Sequence, residues 1–316
     1  MSMTLAHLIT TYNYAHLLPQ HLAGVLAQTR RPDVVVVSDD ASPKDTPEAV
    51  RSAAALWPGA EVRIAAQNQG SALHVQRLIN SVTTDVYIAM SADDWLVDPK
   101  FFADAMAILE HHPDIVAVFG YHQAVDPHGR PLAPVAIESA QPWTRLEATA
   151  FRQRMALDNL VSGVCTMVRV RRRLPIPAYP IRNEYCTDWL HYYLLTLSGD
   201  YARVNRIVCN YRVQSEGLYL VHTQSGLSVK RHDEGYAALL AWPDLNDSDR
   251  AWLRYGRTRR LLRGSRLRAL PGVVARNAME PATWTLLGET LAERTASRIT
   301  QWARNLQRRT LPPAAR

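Results

Sequence analysis

Val86-Tyr-Ile-Ala-Met-Ser-Ala-Asp-Asp94 passes within nine residues from a strand-like apolar run to two adjacent carboxylates. The apolar part has the β-branched and aromatic content of a buried strand, and the small polar residues after it end the strand. Asp93 and Asp94 are therefore expected on a loop at a strand's carboxyl end. Outward from this stretch the same transition recurs. Leu5 to Thr11 leads into Tyr12 and Asn13, and Val34 to Ser38 leads into Asp39 and Asp40. Two further runs, Val62 to Ala65 and Ile115 to Phe119, complete five strands in the first 120 residues. Between them lie helical patterns. Leu18, Leu22, Val25 and Leu26 share a helical stripe; Asp45, followed by Pro47 and Glu48, is placed to cap a second helix, and Ser71 to cap a third. Strands alternating with helices imply an α/β domain with a mostly parallel sheet and helices on both faces.

In such a sheet ligands bind beyond the carboxyl ends of the strands, which puts Thr10 to Asn13, Ser38 to Asp40 and Ser91 to Asp94 on one rim. Adjacent carboxylates repel unless a cation, a proton or hydrogen-bond donors relieve them, so Asp93 and Asp94 point to a hard divalent ion, Mg2+ or Mn2+. An isolated Asp-Asp pair is more often two solvated turn residues; sharing a rim with Asp40 favours the metal. Other chemistries lack their motifs. No Gly-x-Gly-x-x-Gly follows the first strand, and neither a Gly-Lys-Ser/Thr phosphate loop nor a Gly-x-Ser-x-Gly elbow is present.

The composition is that of a folded protein: of 316 residues, 47% are hydrophobic and 21% charged. Its longest apolar runs are a handful of residues, against about 20 for a spanning helix. With no signal-peptide pattern at the amino terminus, a cytoplasmic protein is expected. Cys165, Cys186 and Cys209 match neither a disulfide framework nor a zinc spacing and read as buried small hydrophobes. The net charge of +7 is uneven, because Arg254 to Arg316 holds fourteen arginines and three glutamates. That tail suits a phosphorylated ligand, nucleic acid or an anionic membrane surface.

After the Asp126-Pro-His-Gly129 turn the pattern loosens up to Trp143. A second block follows: a strand near Val164 to Val170, a proline-rich link from Pro175 to Pro180, a helix from Asp188 to Leu197 and a strand from Ala202 to Val213. Beyond Gly226 the chain reads as helical, with Trp284, Leu287, Leu291, Trp302 and Leu306 near one stripe. The expected units are a domain over 1–226, divided at 120 into two halves, and a basic helical extension over 227–316.

An ordered set of segments resembles the family 2 glycosyltransferases. It comprises Ile9-Thr-Thr-Tyr-Asn13, the Leu-Ala-Gln-Thr run ending at Thr29, Val37-Ser-Asp-Asp-Ala-Ser42, Asn68-Gln-Gly70, Ser91-Ala-Asp-Asp94 and Thr187-Asp-Trp189. The resemblance covers about two thirds of the chain and implies a GT-A fold, a nucleotide-diphosphate sugar donor, a divalent metal and inversion. It implies donor-binding roles for Thr10, Tyr12, Asn13, Asp40, Asn68, Gly70, Asp93 and Arg212, with Tyr12 offering a stacking ring and Asp40 an acceptor suited to uracil or thymine. Asp94, with Asp93, would hold the metal, and Asp188 would be the general base. Without the resemblance, Asp188 reads equally as a helix cap. The sequence departs from the family where many relatives carry a histidine soon after a Tyr-Arg pair: Tyr211-Arg212-Val213 leads to Gln214, and the next histidine is His222.

The expected activity is transfer from a UDP- or dTDP-sugar to the hydroxyl of a carbohydrate, glycolipid or other acceptor in cell-surface polysaccharide or glycoconjugate biosynthesis. The arginine-rich tail would make peripheral contact with the inner face of the membrane, and nucleic acid is disfavoured. The competing expectation is a nucleotide-sugar-binding scaffold that has lost catalysis.

Overall fold

The computed structural model describes residues 2–170, 187–214, 227–264 and 286–287. Its first part is a parallel sheet in the order β3-β2-β1-β4, made of β1 (Leu5–Thr11), β2 (Val34–Asp39), β3 (Glu61–Ile64) and β4 (Val86–Ser91). The crossovers are α1 (Leu18–Leu26), α2 (Pro47–Ala54) and α3 (Ser71–Asn80). Side chains of a strand alternate between faces, so β1 feeds two cores. Ala6 and Leu8 join a cluster with Leu78 of α3, while Leu5 and Ile9 pack on the opposite side with residues of α1, α2 and the later α4.

Helix starts differ from expectation by one residue. Thr46 caps α2, its hydroxyl accepting from the Ala49 N–H at 3.1 Å, while the Asp45 carboxylate accepts from the Ala15 N–H at 2.9 Å. Gly70, not Ser71, precedes α3, at φ 82°, a left-handed value that glycine adopts without a Cβ clash.

Past β4 the sheet becomes mixed. The two-residue β5 (Trp95–Leu96), α4 (Phe101–His111), β6 (Ile115–Val125), β7 (Trp143–Leu146), α5 (Ala148–Met155), β8 (Thr166–Arg169), α6 (Thr187–Leu195) and β9 (Asp200–Arg212) follow in the chain. β8 lies antiparallel between β4 and β6, β9 runs parallel to β6, and the long β9 also carries β7 and β5 as antiparallel neighbours. Neither β5 nor β7 is evident in the sequence. Both are short and take their pairing from β9, far along the chain.

Helices α7 (Leu227–Leu240) and α8 (Asp247–Gly264) lie on the same core as α5 and α6. Tyr236 packs edge-on against Trp189 at 4.8 Å and donates to the Ala156 carbonyl at 2.7 Å. Arg152 of α5 and Asp249 of α8 form a buried ion pair at 2.8 Å. The arginines of α8 engage the protein as well: Arg257 pairs with Asp233, and Arg250 donates to the carbonyls of Leu240 and Trp242. Among the described residues no helix is long and apolar enough to cross a membrane. Cys165 and Cys209 are buried free thiols. Cys186, the Pro175 to Pro180 link, His222 and most of the Trp284 to Leu306 stripe lie outside the described residues.

Candidate active site

Strand register puts the polar segments side by side. Thr10 of β1 pairs with Ser38 of β2 and with Ser91 of β4, and Thr11 pairs with Asp39. Adjacent strands are about 4.8 Å apart. The loops leaving β1, β2 and β4 therefore emerge together.

Short hydrogen bonds join these loops. The Asp39 carboxylate accepts from the Ser42 N–H at 3.0 Å and from the Ser42 hydroxyl. Ser42 Oγ in turn accepts from the Asn13 N–H at 2.8 Å, and Asn13 Oδ1 accepts from the Lys44 N–H at 3.1 Å. Asn13 and Ala41 hold positive φ, 64° and 58°, so both loops turn sharply. Asp40 is buried and bridges to the α3 turn: Oδ1 and Oδ2 accept from the Gln69 and Gly70 N–H groups, each at 3.0 Å. Asn68 donates to the Asp40 carbonyl at 3.2 Å. Thr10 donates weakly to the Met90 carbonyl at 3.4 Å, and Tyr12 is left 42% exposed on the rim.

The Asp93-Asp94 loop is held from two sides. From β9, the Arg212 N–H donates to Asp94 Oδ1 at 2.9 Å, and its guanidinium donates to the Asp93 carbonyl at 3.1 Å and to Pro127 and Gln20 oxygens. That guanidinium also lies over the Trp95 ring at 4.6 Å. From α1, His21 Nδ1 lies 2.6 Å from the Asp94 carbonyl. Burial raises the carboxyl pKa of both aspartates; for Asp94 the neighbouring Asp93 charge adds to a large rise that Arg212 only partly offsets. Two negative charges are thus held together with too little compensation.

Asp188 opens α6 at the same end of the sheet. The turn Gly163–Cys165 leads into β8, which pairs with β4, and a Cβ on Gly163 would sit 2.9 Å from Asp188 Oδ2. Asn159 donates to that oxygen at 3.0 Å. Because β8 runs antiparallel to β4, the turn before β8, with Asp188 against it, stands at the carboxyl end of β4, where the Asp93-Asp94 loop begins. Asp188 is exposed to solvent at the mouth of this recess; desolvation raises its carboxyl pKa, against the N–H groups of the helix start and Asn159 that lower it. Nearby, His122 Nδ1 lies 2.8 Å from Ser162 Oγ and its ring meets Tyr211 edge-on at 5.6 Å.

The structure thus gathers Thr10, Tyr12, Asn13, Asp40, Asn68, Gly70, Asp93, Asp94, Arg212 and Asp188 at one end of the sheet. Sequence reasoning overlooked Asn159, Gly163, Trp95 and His21.

A protein-family model for glycosyl transferase family 2 matches residues 7–175, more than half of the chain. The chain belongs to that family. The chain is 24% identical over 217 residues to the uncharacterized proteins Rv1520 of Mycobacterium tuberculosis and Mb1547 of Mycobacterium bovis. The match covers 66% of the chain and 58% of either relative, so the chain spans less than two thirds of their length. Among solved structures it resembles S. aureus TarS 1-349 in complex with UDP-GlcNAc, with a TM-score of 0.61 at 14% identity over 91% of this chain and 80% of that one. It also resembles the mannosyltransferase PcManGT from Pyrobaculum calidifontis in complex with GDP-Man and Mn2+, with a TM-score of 0.56 at 16% identity over 95% and 88% of the two chains. At these identities the likeness establishes the fold, a GT-A architecture.

Proposed function

We propose that this glycosyltransferase inverts the anomeric centre of a UDP- or dTDP-sugar as it transfers the sugar to an acceptor hydroxyl, using a divalent cation at Asp94 and Asp93. The observation that carries the reading is the joint placement of the Asp93-Asp94 pair and Asp188 at one end of the sheet, in the order donor loop, turn, helix start. Asp40 offers an acceptor to the ring N–H of uracil or thymine through Oδ2, which has a second lone-pair direction beyond the bond to Gly70, while Oδ1 takes the Gln69 N–H and lies 3.4 Å from His74 Nδ1. Tyr12, exposed on the rim, offers a ring for the base. Asn13, Asn68 and Gly70 shape the pocket wall beside Thr10.

Two adjacent carboxylates with raised pKa, Asp94 buried and Asp93 half-buried, fit a hard cation. Among the described residues no group of three His, Cys, Asp or Glu side chains could hold an ion, so Mg2+ or Mn2+ would complete its shell with diphosphate and water oxygens. When bound, the ion supplies charge that stabilises the departing diphosphate. Arg212 holds the aspartate loop from behind and adds positive charge beside it. Asp188 takes the acceptor proton as that oxygen attacks the face opposite the diphosphate; its raised pKa makes it a better base than an ordinary aspartate.

The acceptor is a carbohydrate, a glycolipid or another hydroxyl compound of cell-surface polysaccharide or glycoconjugate synthesis, met in the cytoplasm or at the inner face of the membrane, where the arginine-rich segment beyond α8 would rest. The test is thermal shift of the full chain with UDP-, dTDP- and GDP-sugars, with Mn2+ or with chelator, in wild type and Asp94→Asn. A ligand that binds only the folded state at 100 times its Kd stabilises it by about 2.7 kcal/mol. Stabilisation by a uridine or thymidine sugar that needs Mn2+ and is lost in Asp94→Asn is expected. Equal stabilisation in chelator would remove the metal role, and binding with neither donor hydrolysis nor transfer would favour a scaffold.

A further inference from the structure

His7 and His21 stand among apolar side chains, 0% and 1% exposed, with their Nε2 atoms 2.7 Å apart. His7 stands between Leu5 and Ile9 on the buried face of β1, packed against Phe102 at 5.7 Å between ring centroids. His21 lies on α1 beneath the aspartate loop. Gly24, one turn along the same helix face, makes this closeness possible: a Cβ there would stand 2.6 Å from the Leu96 carbonyl oxygen.

The protons of the pair can be placed by elimination. A backbone carbonyl only accepts, so His21 must carry a proton on Nδ1 to bond the Asp94 oxygen at 2.6 Å. Both rings are buried among apolar side chains, where a charged imidazolium is strongly disfavoured, so each is neutral. Neutral His21 therefore presents a lone pair at Nε2, and His7 donates to it from its own Nε2–H. His7 Nδ1 is then a bare acceptor, and it has no hydrogen-bond partner in the structure. An unpaired buried nitrogen is a cost that two apolar side chains would avoid.

That cost has a counterpart at the loop. The Asp94 N–H bonds the Ser91 carbonyl at 3.2 Å, closing a turn. The imidazole thus pins the Asp94 carbonyl of the turn that carries the aspartate pair, opposite the side held by Arg212.

We propose that His7 and His21 form a positioning dyad: His7 fixes the tautomer of His21, and His21 fixes the Asp94 backbone so that its carboxylate meets the cation and diphosphate. This inference rests on the cation reading of Asp93 and Asp94. Residues that orient a metal ligand without touching the metal typically change its affinity about 10–100-fold when replaced.

The experiment titrates Mn2+ into the full chain saturated with UDP, by calorimetry. His21→Leu is expected to weaken Mn2+ binding about 10-fold or more. His21→Asn, whose amide N–H can reach the place of Nδ1–H, is expected to retain most of it. In wild type near neutral pH, 15N spectra of the rings should find His21 protonated at Nδ1 and His7 at Nε2. Wild-type Mn2+ affinity in His21→Leu, or the opposite tautomers, would overturn the dyad alone. Failure of the wild type to bind Mn2+ with UDP would overturn the cation reading on which it stands.

Discussion

The rim at the ends of β1, β2 and β4 ties its carboxylates into backbone, whereas the Asp188 recess leaves its carboxylate to one asparagine and the start of a helix. Asp39, Asp40 and Asp94 each accept from main-chain N–H groups, of Ser42, of Gln69 and Gly70, and of Arg212. Asp188 accepts from Asn159, has glycine where a larger residue would crowd it, and is open to solvent. Groups that build the loops they stand on should be costly to fold without. A group held only by one asparagine and the first turn of its own helix should be costly mainly to chemistry.

The sharpest way to break that contrast is Asp188→Asn. General-base catalysis contributes about 10²–10⁴-fold, so transfer should fall by that factor while UDP-sugar binding persists and stability moves by no more than about 0.5 kcal/mol. Steady-state rates, donor titration and urea unfolding read the three effects. The pH profile adds a sign. The base must be ionised, so kcat/KM should drop as pH falls through the raised Asp188 pKa, at higher pH than an ordinary aspartate would give. Normal transfer by Asp188→Asn would end its assignment as the base.

A second test concerns what holds the Asp188 recess in place. Helices α5 and α6 are tied to α8 by Arg152, which donates to Asp249 and to the Thr196 carbonyl at 3.2 Å. Removing one member of a buried ion pair typically costs about 3–5 kcal/mol, because the other charge is stranded. Asp249→Ala is expected to lower the urea midpoint accordingly, and Arg152→Met with Asp249→Leu to recover most of the loss. Donor binding at the β1–β4 rim should change less than transfer. Equal losses of both would mean that the two regions do not differ in how they are supported.

The same difference governs what could be read in the sequence. Each polar cluster of the β1–β4 rim follows its strand within two or three residues, so strand recognition alone located Thr10, Asp40 and Asp94. Nothing local announces β5 or β7, whose partner β9 lies 50 residues or more further on. Caps were misplaced by one residue for the same reason: Asp45 is a good cap in isolation, but its carboxylate is engaged by Ala15, 30 positions away. Arg212 was expected to bind the donor. Its bonds to the carbonyls of Asp93 and Pro127 exist only because β9 crosses back beside β5. His7 and His21 carry no pattern, since the carbonyl that gives them a role is 73 residues from His21.

The smallest of the expected effects gives the finest test of the rim. In Asp40→Asn the side chain keeps its shape but offers one acceptor and one NH2 group to two N–H donors, those of Gln69 and Gly70. One buried donor then faces another, and the charge that strengthens both bonds is gone. Hydrogen bonds to a charged group contribute about 1.5–3 kcal/mol, so the variant should lose up to that amount in urea unfolding. The α3 turn should loosen with it, weakening UDP-sugar binding even where no contact to the base has changed. If donor binding falls while stability holds, Asp40 acts on the ligand and not on the loop, and the distinction between structural and free-standing carboxylates fails at the residue where it is most strongly drawn.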